Sequence, residues 1–316
     1  MEVTDNTRRD GRVTIGWLSE STGVPVRTIR FYCDAGILDT GRSVGGHRTF
    51  DPRESVERLN MVRRLRALGL GLPAISEVLD GARSLADAVA AERAAVDAEL
   101  SALAWRRALL QAAETGTPAV QDMRLAMLAT VANRAATRDA IITFWRRVLS
   151  GMAPEMLDGF IEMNVPELPA DPDPERVLAY AELATVLADP TMTALMRQQV
   201  RCGTESRLGN TTALMAEVAE ACEESGLLMA AGIAPRPGAE LDRFVAAHAT
   251  VRGESDTPML RRRLFSGGVD TDRRVRRYWD VTGRLLDSPI TSGDAHLWLY
   301  TALGQSISAA VNPVDA

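Results

Sequence analysis

No Gly or Pro interrupts the chain between Leu85 and Ala113, and this stretch restricts the fold more than any other. As a single helix it would be roughly 43 Å long. Apolar side chains recur along it every seven residues and form a stripe, namely Val89, Val96, Leu103 and Leu110, widened by Leu100. The stripe predicts a coiled coil between two subunits, with residues 84–114 as the dimerisation helix. The alternative is a helix that folds back on its own C-terminal domain, because positions 92, 99 and 106 are charged.

Length and charge predict two domains of different character. A chain of 316 residues is longer than a single small domain, so two domains are expected. Its content of 46% hydrophobic and 25% charged residues is typical of a soluble globular protein. Residues 11–72 contain ten Arg against six Asp and Glu, although the whole chain has a net charge of -6. The basic part is therefore the expected contact for nucleic acid. A polar N-terminus and the lack of long apolar runs predict a cytoplasmic protein without membrane contact.

Two short helices separated by a turn are predicted near the N-terminus. The segment TIGWLSESTG (14–23) has apolar residues at helical spacing, Thr14 as its N-cap and Gly23 as its end. After Val24-Pro25, the segment VRTIRFYCDAG continues as a second helix. This arrangement predicts a helix-turn-helix, whose second helix usually enters the major groove of DNA.

Turn residues organise the next segments. Gly41 and the pair Gly45-Gly46 separate short stretches that can pair as a hairpin. Asp51-Pro52 predicts the start of a helix that ends at Gly69. GLPAISEVLDG has the same kind of start and stop residues and predicts a second, shorter helix.

Three segments in fixed order, TIGWLSESTGVPVRTIRFYCDAGIL, GGHRTFD and VERLNMVRRLRALGLGLPAISEVL, resemble the MerR family of bacterial transcription regulators over residues 13–79. The resemblance implies a flexible tail (1–12), a winged helix-turn-helix domain (13–82) and an antiparallel dimerisation helix. It also implies a homodimer that binds double-stranded promoter DNA, bending and untwisting an over-long spacer so that RNA polymerase contacts both promoter elements.

The candidate DNA-contacting residues lie on the second helix and the wing, with one at the start of the first helix: Thr14, Arg27, Thr28, Arg30, Tyr32, Arg42, Gly46, His47 and Arg48. Arg27 and Arg30 can reach phosphates or guanine edges, and the sequence leaves open which. Alternatively, these two arginines lie on a helix face that is exposed to solvent and does not contact DNA. The Tyr32 hydroxyl and Arg48 in the wing are expected to donate to phosphates.

Three positions depart from the family pattern. Cys33 replaces a usual acidic residue, His47 a usual tyrosine, and Trp17 a usually polar residue. Cys33 is interpreted as a small packed residue or a redox switch. His47 either packs beside DNA in place of tyrosine or senses pH, and Trp17 either packs on the tail or contacts the DNA backbone.

The remainder, residues 118–316, is predicted to be a helical effector domain, which makes the fold class mainly all-α. Helix-start signals occur at Asp173-Pro174, Asp189-Pro190, Thr257-Pro258 and Asp270. Phosphate-binding loops and nucleophile motifs are lacking, so no enzyme activity is predicted. The three Cys and three His residues are scattered, so no cofactor or metal is predicted.

Aromatic residues in the effector domain predict a pocket for a small hydrophobic or aromatic effector: Trp145, Tyr180, Phe244, Tyr278, Trp279, Trp298 and Tyr300. Nearby methionines suit such a lining. The alternative is that these aromatics form ordinary core. In that case, a protein partner or the protein's abundance would control the regulator, and the domain would be an interaction module.

Overall fold

A computed structural model describes residues 8–9, 11–42, 46–115, 117–203 and 210–311 of the chain. The fold is mainly α-helical, as the sequence predicts. It divides into two compact units, Met1–Leu100 and Ser101–Ala316, each with its own core.

The N-terminal unit combines short strands with short helices. Its elements are β1 (Arg8–Arg9), β2 (Arg12–Thr14), α1 (Ile15–Thr22), α2 (Val26–Asp34), β3 (Gly41–Arg42), β4 (Arg48–Phe50), α3 (Pro52–Ala67), α4 (Leu72–Leu79) and the first part of α5 (Leu85–Glu114). The strands form an antiparallel sheet in the order β1-β2-β4-β3, with Val13 opposite Phe50 and Arg42 opposite Arg48. The β3–β4 pair is the predicted hairpin.

Two predictions fall partly on residues that the structure does not describe. Of the proposed flexible tail 1–12, Arg8–Arg9 pair with β2 as a strand, and residues 1–7 and 10 lie outside the described residues. Gly45 of the predicted hairpin turn also lies outside them.

Local capping explains where the first helices begin and end. The Thr14 hydroxyl accepts the Trp17 backbone N–H at 3.3 Å, as the sequence predicts for an N-cap. Gly23 ends α1 with a φ of 69°, and its N–H donates to the Ser19 carbonyl at 2.8 Å. The Asp51 carboxylate accepts two backbone N–H groups in the first turn of α3. These caps fix the turn between α1 and α2 and the exit from the hairpin.

Two small hydrophobic clusters hold this unit together. The first joins α1, α2, β2, β4 and α3 through Val13, Leu18, Val24, Ile29, Leu38, Phe50 and Leu59. The second joins α3, α4 and the start of α5 through Ile37, Val62, Leu65, Leu70, Ile75 and Ala88. Trp17 and Cys33 are partly buried and pack against the first cluster. This supports the packing interpretation of Cys33, whereas Trp17 packs on the core of the unit and not on the tail that the sequence suggested.

Helix α5 has two apolar faces with different environments. The predicted heptad stripe is exposed, at 39% for Val89, 46% for Val96, 59% for Leu100, 55% for Leu103 and 59% for Leu110. On the opposite face, Trp105, Ala108 and Ala112 are buried in the C-terminal core, and Trp105 Nε1 donates to the Val131 carbonyl at 2.8 Å. The C-terminal unit therefore begins within α5 at Ser101, whereas the sequence suggested a start at 118.

The C-terminal unit is a helical assembly in which the second part of α5 is followed by further helices. These are α6 (Pro118–Ala129), α7 (Arg134–Val148), α8 (Pro154–Asn164), α9 (Pro174–Leu187), α10 (Met192–Arg201), α11 (Thr211–Ala230), α12 (Ala239–Thr250), α13 (Pro258–Gly267), α14 (Arg273–Leu286) and α15 (Ser292–Val311). One large hydrophobic cluster includes side chains of α5, α7, α9, α10 and α14, and a second joins α11, α12, α13 and α15.

The helix-start signals are mostly correct. Asp173 caps α9 and Thr257 caps α13 through their side-chain oxygens, and Asp189 accepts the Thr191 N–H before α10. Asp270 is a correction, because α14 is capped by Asp272 instead. Asp270 is only 1% exposed and its carboxylate pairs with His296. Within the described part of the chain, no helix is both long and apolar enough to span a membrane.

Candidate functional site

One face of α2 presents exposed basic and aromatic side chains. Arg27, Arg30 and Phe31 are spaced by three and four residues, so they lie on the same side of the helix. All three are exposed, Phe31 to 55%, whereas Ile29 on the other side is fully buried. The two guanidinium groups and the ring are therefore available to a partner.

Phe31 is a residue that the sequence analysis missed. The neighbouring Tyr32, the aromatic residue expected to contact DNA, is half-buried and packs against both clusters of the N-terminal unit. The signal was present in the sequence, because Phe31 follows Arg27 by four positions on the exposed face, while Tyr32 does not. Thr28 is also half-buried.

Four candidate DNA-contacting residues belong to the β3–β4 hairpin, and all of them are exposed except Arg48, which is half-buried. Arg42, Gly46 and His47 lie at the surface, and Gly46 has a φ of 76°, which favours glycine in this turn. Thr14, also predicted to contact DNA, is exposed while its hydroxyl caps α1.

Arg48 connects the wing to the end of α2. Its Nη2 lies 2.6 Å from Asp34 Oδ1, and its Nη1 donates to the Arg30 carbonyl at 3.4 Å. The hydrogen bond to Asp34 raises the pKa of Arg48 above its ordinary value. Burial raises the pKa of the adjacent Cys33 thiol, which disfavours the reactive thiolate. Arg48 thus fixes the position of the hairpin relative to α2.

A cavity of about 300 Å³ lies inside the C-terminal unit. Helices α7, α8, α10, α11 and α14 and the start of α15 form its walls. Its lining is mainly apolar and rich in methionine and aromatic rings: Trp145, Met152, Met156, Phe160, Met163, Val200, Met215, Val218, Trp279 and Ile290. Such a lining, with few polar groups, is typical of a small-molecule site.

Of the seven predicted pocket residues, Trp145 and Trp279 line this cavity. The other five lie in cores or against neighbouring helices, because each ring satisfies its own packing or hydrogen-bonding needs there. Tyr180 donates to the Glu167 carbonyl, Tyr278 accepts from Trp145 Nε1, Trp298 donates to the Ile233 carbonyl, Tyr300 stacks on Phe265, and Phe244 packs edge-on against His248 and His296. Tyr180, Phe244, Tyr278 and Trp298 are buried, Tyr300 is half-buried, and none of these five rings lines this cavity.

A chain of buried hydrogen bonds closes one end of the cavity. Trp279 Nε1 donates to Gln199 Oε1 at 3.1 Å, and Gln199 Nε2 donates to Asp270 Oδ1 at 2.8 Å. The same carboxylate oxygen lies 2.7 Å from His296 Nδ1. Trp279, Gln199 and His296 all line the cavity, whereas Asp270 stands behind them.

The His296–Asp270 pair is a buried ion pair. Burial alone would lower the pKa of His296, but the charge and hydrogen bond of Asp270 raise it well above 6.5. Burial alone would raise the pKa of Asp270, yet its interactions with His296 and Gln199 lower it. The pairing with Asp270 thus favours the protonated imidazole.

Sequence reasoning missed this polar cluster. Its members come from α10, the segment before α14, α14 itself and α15, so no local pattern links them. Among the described residues, no group of three His, Cys, Asp or Glu side chains is arranged to hold a metal ion.

Comparison with known proteins concerns the N-terminal part of the chain. Residues 13–82 match the family described as MerR HTH family regulatory protein. Nodulation protein NolA of Bradyrhizobium elkanii is 46% identical over 82 residues, which are 26% of this chain and 37% of that protein. The HTH-type transcriptional regulator HmrR of Rhizobium leguminosarum bv. viciae is 33% identical over 67 residues, 21% of this chain and 51% of that protein.

A second NolA, from Bradyrhizobium sp. (strain NC92), is 44% identical over 86 residues, 27% of this chain and 36% of that protein. The chain thus spans between about a third and a half of the length of these curated relatives. No solved structure matches it. The matches cover the helix-turn-helix, the wing and the two helices that follow, and they leave the C-terminal unit unassigned.

Proposed function

Because residues 13–82 are a MerR-family helix-turn-helix domain, we propose that this protein is a transcription regulator that binds promoter DNA. In this proposal a homodimer bends and untwists the promoter so that RNA polymerase can use it, and a small apolar molecule in the C-terminal cavity controls the change. Since its partners are DNA and polymerase, we propose that it acts in the cytoplasm.

The observation that carries the DNA-binding proposal is the exposed face of α2. Arg27 and Arg30 are exposed and extend from the helix that enters the major groove in this motif. Phe31 beside them can pack on sugars or on thymine methyl groups. Arg42 and His47 on the wing add contacts for the DNA backbone on a second element.

The proposed dimer uses the exposed stripe of α5. Five large apolar side chains in one row, all at least 39% exposed, are costly in water, and pairing with a second copy would cover them. Two α2 helices would then read two half-sites, as expected for a symmetric regulator.

The cavity supports control by a ligand over control by a protein partner. Its volume of about 300 Å³ lies at the lower end of the range of small-molecule sites, and its walls are apolar. A dimerisation helix that shares a core with this unit offers a connection from a ligand to the DNA-binding part. Trp105, Ala108 and Ala112 provide that shared core.

DNA binding by the purified full-length protein tests the proposal. A random double-stranded DNA library is selected for bound fragments, and affinity is then measured for selected and random DNA at about 150 mM salt. We expect a pseudo-palindromic sequence to be enriched. Equal affinity for selected and random DNA would contradict the proposal.

Substitutions on α2 assign the binding to this surface. The double variant Arg27→Ala/Arg30→Ala is expected to lose at least about tenfold in affinity and to reduce the salt dependence by about one contact per arginine that touches phosphate. Arg146→Ala, an exposed arginine of the C-terminal unit, is the control and should bind like the wild type. Unchanged binding by the α2 variant would exclude this face as the contact.

A further inference from the structure

The side chain of Asn164 has one oxygen that the protein does not use. Asn164 is the last residue of α8, is only 2% exposed and lines the cavity. Its Nδ2 donates to the Phe160 carbonyl, one helical turn earlier, at 3.1 Å. Exchanging the two amide atoms would place two oxygens against each other, so this hydrogen bond identifies Oδ1 as the other atom.

This Oδ1 remains accessible although the residue is buried. Among the described residues, no group donates a hydrogen bond to it. It is not one of the unpartnered polar atoms that the protein encloses completely, such as Asp270 Oδ2 and Glu240 Oε1. Since Asn164 lines the cavity, its remaining accessible surface opens into that space. A buried acceptor without a donor costs free energy, so this oxygen indicates a ligand that donates a hydrogen bond.

Most other polar side chains of the lining already have protein partners. These are Trp145, Gln199, Trp279, Thr291 and His296. The hydroxyl of Ser292, in the first turn of α15, has no hydrogen-bond partner among the described residues. Asn164 and Ser292 are therefore the two described amide or hydroxyl side chains of the lining that a ligand can satisfy.

The charges around the cavity favour a neutral ligand. His296 is already paired with Asp270 at 2.7 Å, and Glu223 lines the cavity at an exposed position. An anion would meet Glu223 and the Asn164 oxygen without a cation to compensate it. An ammonium group would have to leave water for a neutral oxygen. A hydroxyl group donates to the same oxygen at a much smaller desolvation cost.

The apolar walls combine fixed rings with adaptable side chains. The ring centroid of Trp145 lies 4.6 Å from that of Phe160 and 5.7 Å from that of Trp279. Trp279 is held on two sides, because Gln199 accepts its Nε1–H and a Cβ at Gly293 would overlap its ring. Four methionines complete the apolar surface. Rigid rings beside flexible thioethers suit a flat apolar molecule.

We propose that the cavity binds a neutral, flat apolar molecule that carries a hydroxyl group, and that this hydroxyl donates to Asn164 Oδ1. A phenol or an aryl alcohol has this combination of groups. The inference rests on the proposed ligand control and names its ligand class. It assigns to Asn164 the choice between ligands of similar shape.

Four probes built on one ring system test the ligand class. At neutral pH, 2-naphthol donates a hydrogen bond, 2-methoxynaphthalene only accepts one, 2-methylnaphthalene does neither, and 2-naphthylmethylamine is a cation. Equilibrium dialysis against the full-length protein gives the affinity of each. We expect 2-naphthol to bind at least about fivefold more tightly than 2-methoxynaphthalene, which is the gain from one hydrogen bond. Equal or tighter binding of 2-methoxynaphthalene or of the cation, or no binding of any probe, would overturn the inference.

The variant Asn164→Leu tests the contact itself, since leucine has a similar volume and no acceptor. The ratio of the affinities for 2-naphthol and 2-methylnaphthalene should fall at least about fivefold, because the buried hydroxyl then has no partner. Binding of 2-methylnaphthalene shows that the cavity of the variant is intact. Ser292→Ala is the matched control and should keep the ratio. A ratio that is unchanged in Asn164→Leu, or that falls only in Ser292→Ala, would exclude Asn164 as the acceptor.

A blocking variant assigns the binding to this cavity. Gly226 lines the cavity, and a Cβ there meets nothing within 4 Å, so Gly226→Phe should fill the space and abolish binding of 2-naphthol. Gly159→Phe is the control, since Gly159 is an exposed helical glycine with equally open surroundings outside the lining. Unaltered binding in Gly226→Phe would place the probe elsewhere and contradict the inference.

DNA affinity measured without any probe separates this inference from the proposed function. A protein that binds selected DNA but shows no preference for 2-naphthol loses only the ligand class. A wild type without sequence-specific DNA binding loses the proposed function itself. In that case, a ratio that falls in Asn164→Leu and not in Ser292→Ala would still support the contact between the hydroxyl and Asn164.

Discussion

Arg48 illustrates how one residue can have a role that its position in the motif does not reveal. The sequence assigns it to the wing as a donor to phosphate, and the structure directs its guanidinium to Asp34 and the Arg30 carbonyl. The Asp34 side chain is 62% exposed, so solvent weakens the pair. In the proposed complex, Asp34 would therefore compete with DNA for the same charge.

Removing this competition should strengthen DNA binding. We predict that Asp34→Asn increases the affinity for selected DNA and steepens the dependence of log affinity on log salt by up to about 0.9, the value for one phosphate. Filter binding or fluorescence anisotropy across a salt series measures both. Asp39→Asn removes the same charge from an exposed position in the same unit. An equal gain in the Asp39 variant would attribute the effect to net charge alone.

The buried pair His296–Asp270 predicts a specific pH dependence of stability. The folded-state pKa of His296 is raised, so its contribution is complete below pH 6.5 and decreases as pH rises towards the folded pKa. In the folded state, the other groups near it with shifted pKa values do not titrate between pH 6.5 and 8.5; in the unfolded state His248 still releases protons just above pH 6.5, which acts in the opposite direction. The pKa of Asp270 is lowered below 3.8, burial lowers the pKa of His248 well below 6.5, and burial raises the pKa of the Cys202 and Cys222 thiols above 9.0.

We therefore expect the unfolding free energy of the C-terminal unit to decrease from pH 6.5 to 8.5, by at most about 1.4 kcal/mol per pH unit for one proton. Urea denaturation followed by tryptophan fluorescence at several pH values measures this. The decrease should disappear in His296→Leu/Asp270→Asn. A wild-type stability that is constant or increases over this range would show that His296 is not protonated in the folded state.

At the scale of elements, α5 has two apolar faces in different environments. Its stripe faces solvent, and its other face contributes Trp105, Ala108 and Ala112 to the C-terminal core. The two interpretations of this helix, dimerisation and packing on its own C-terminal domain, thus concern different residues. The charges at positions 92, 99 and 106, which favoured the second interpretation, lie along one edge of the stripe and not on the buried face.

Charge on the stripe should dissociate the proposed dimer. We predict that Leu100→Glu/Leu103→Glu is monomeric at micromolar concentration in sedimentation velocity, because a coiled-coil interface cannot bury two unpaired carboxylates. Ala98→Glu lies on the opposite side of the same helix, at an exposed position, and should leave the dimer intact. A dimer that survives the stripe variant would have its interface elsewhere.

At the scale of the whole molecule, the division into two units falls inside a helix instead of in a loop. The first unit ends at Leu100 and the second begins at Ser101, in the middle of α5. No sequence pattern marks this boundary, because a boundary is normally expected at Gly or Pro residues such as those in TGTP at 115–118.

This division predicts which fragments fold. A fragment of residues 84–316 should unfold cooperatively on heating, whereas one of residues 118–316 should not, since it lacks Trp105. Deleting a large buried aromatic side chain typically costs about 3–5 kcal/mol, and the shorter fragment loses Ala108 and Ala112 as well. Circular dichroism and calorimetry on both fragments test this. Equal cooperativity would show that α5 is not part of the second core.

Much of the N-terminal unit follows from the sequence by itself, because its information is local. Helix caps such as Thr14 and Asp51, the stop at Gly23 and the spacing of Arg27 and Arg30 act within one or two turns. The same holds for the heptad stripe of α5 and for the helical class of the C-terminal unit. Family resemblance is read from the same contiguous segments.

The cavity proposed as a ligand site, by contrast, was decided by the tertiary structure. Gln199, Asp270, Trp279 and His296 come from separate elements, and only packing brings their polar atoms within hydrogen-bond distance. Aromatic content alone could not separate cavity walls from core, because Tyr278 and Trp279 are adjacent in sequence and only Trp279 lines the cavity. Burial and long-range contact depend on how helices pack, and a local pattern does not contain that information.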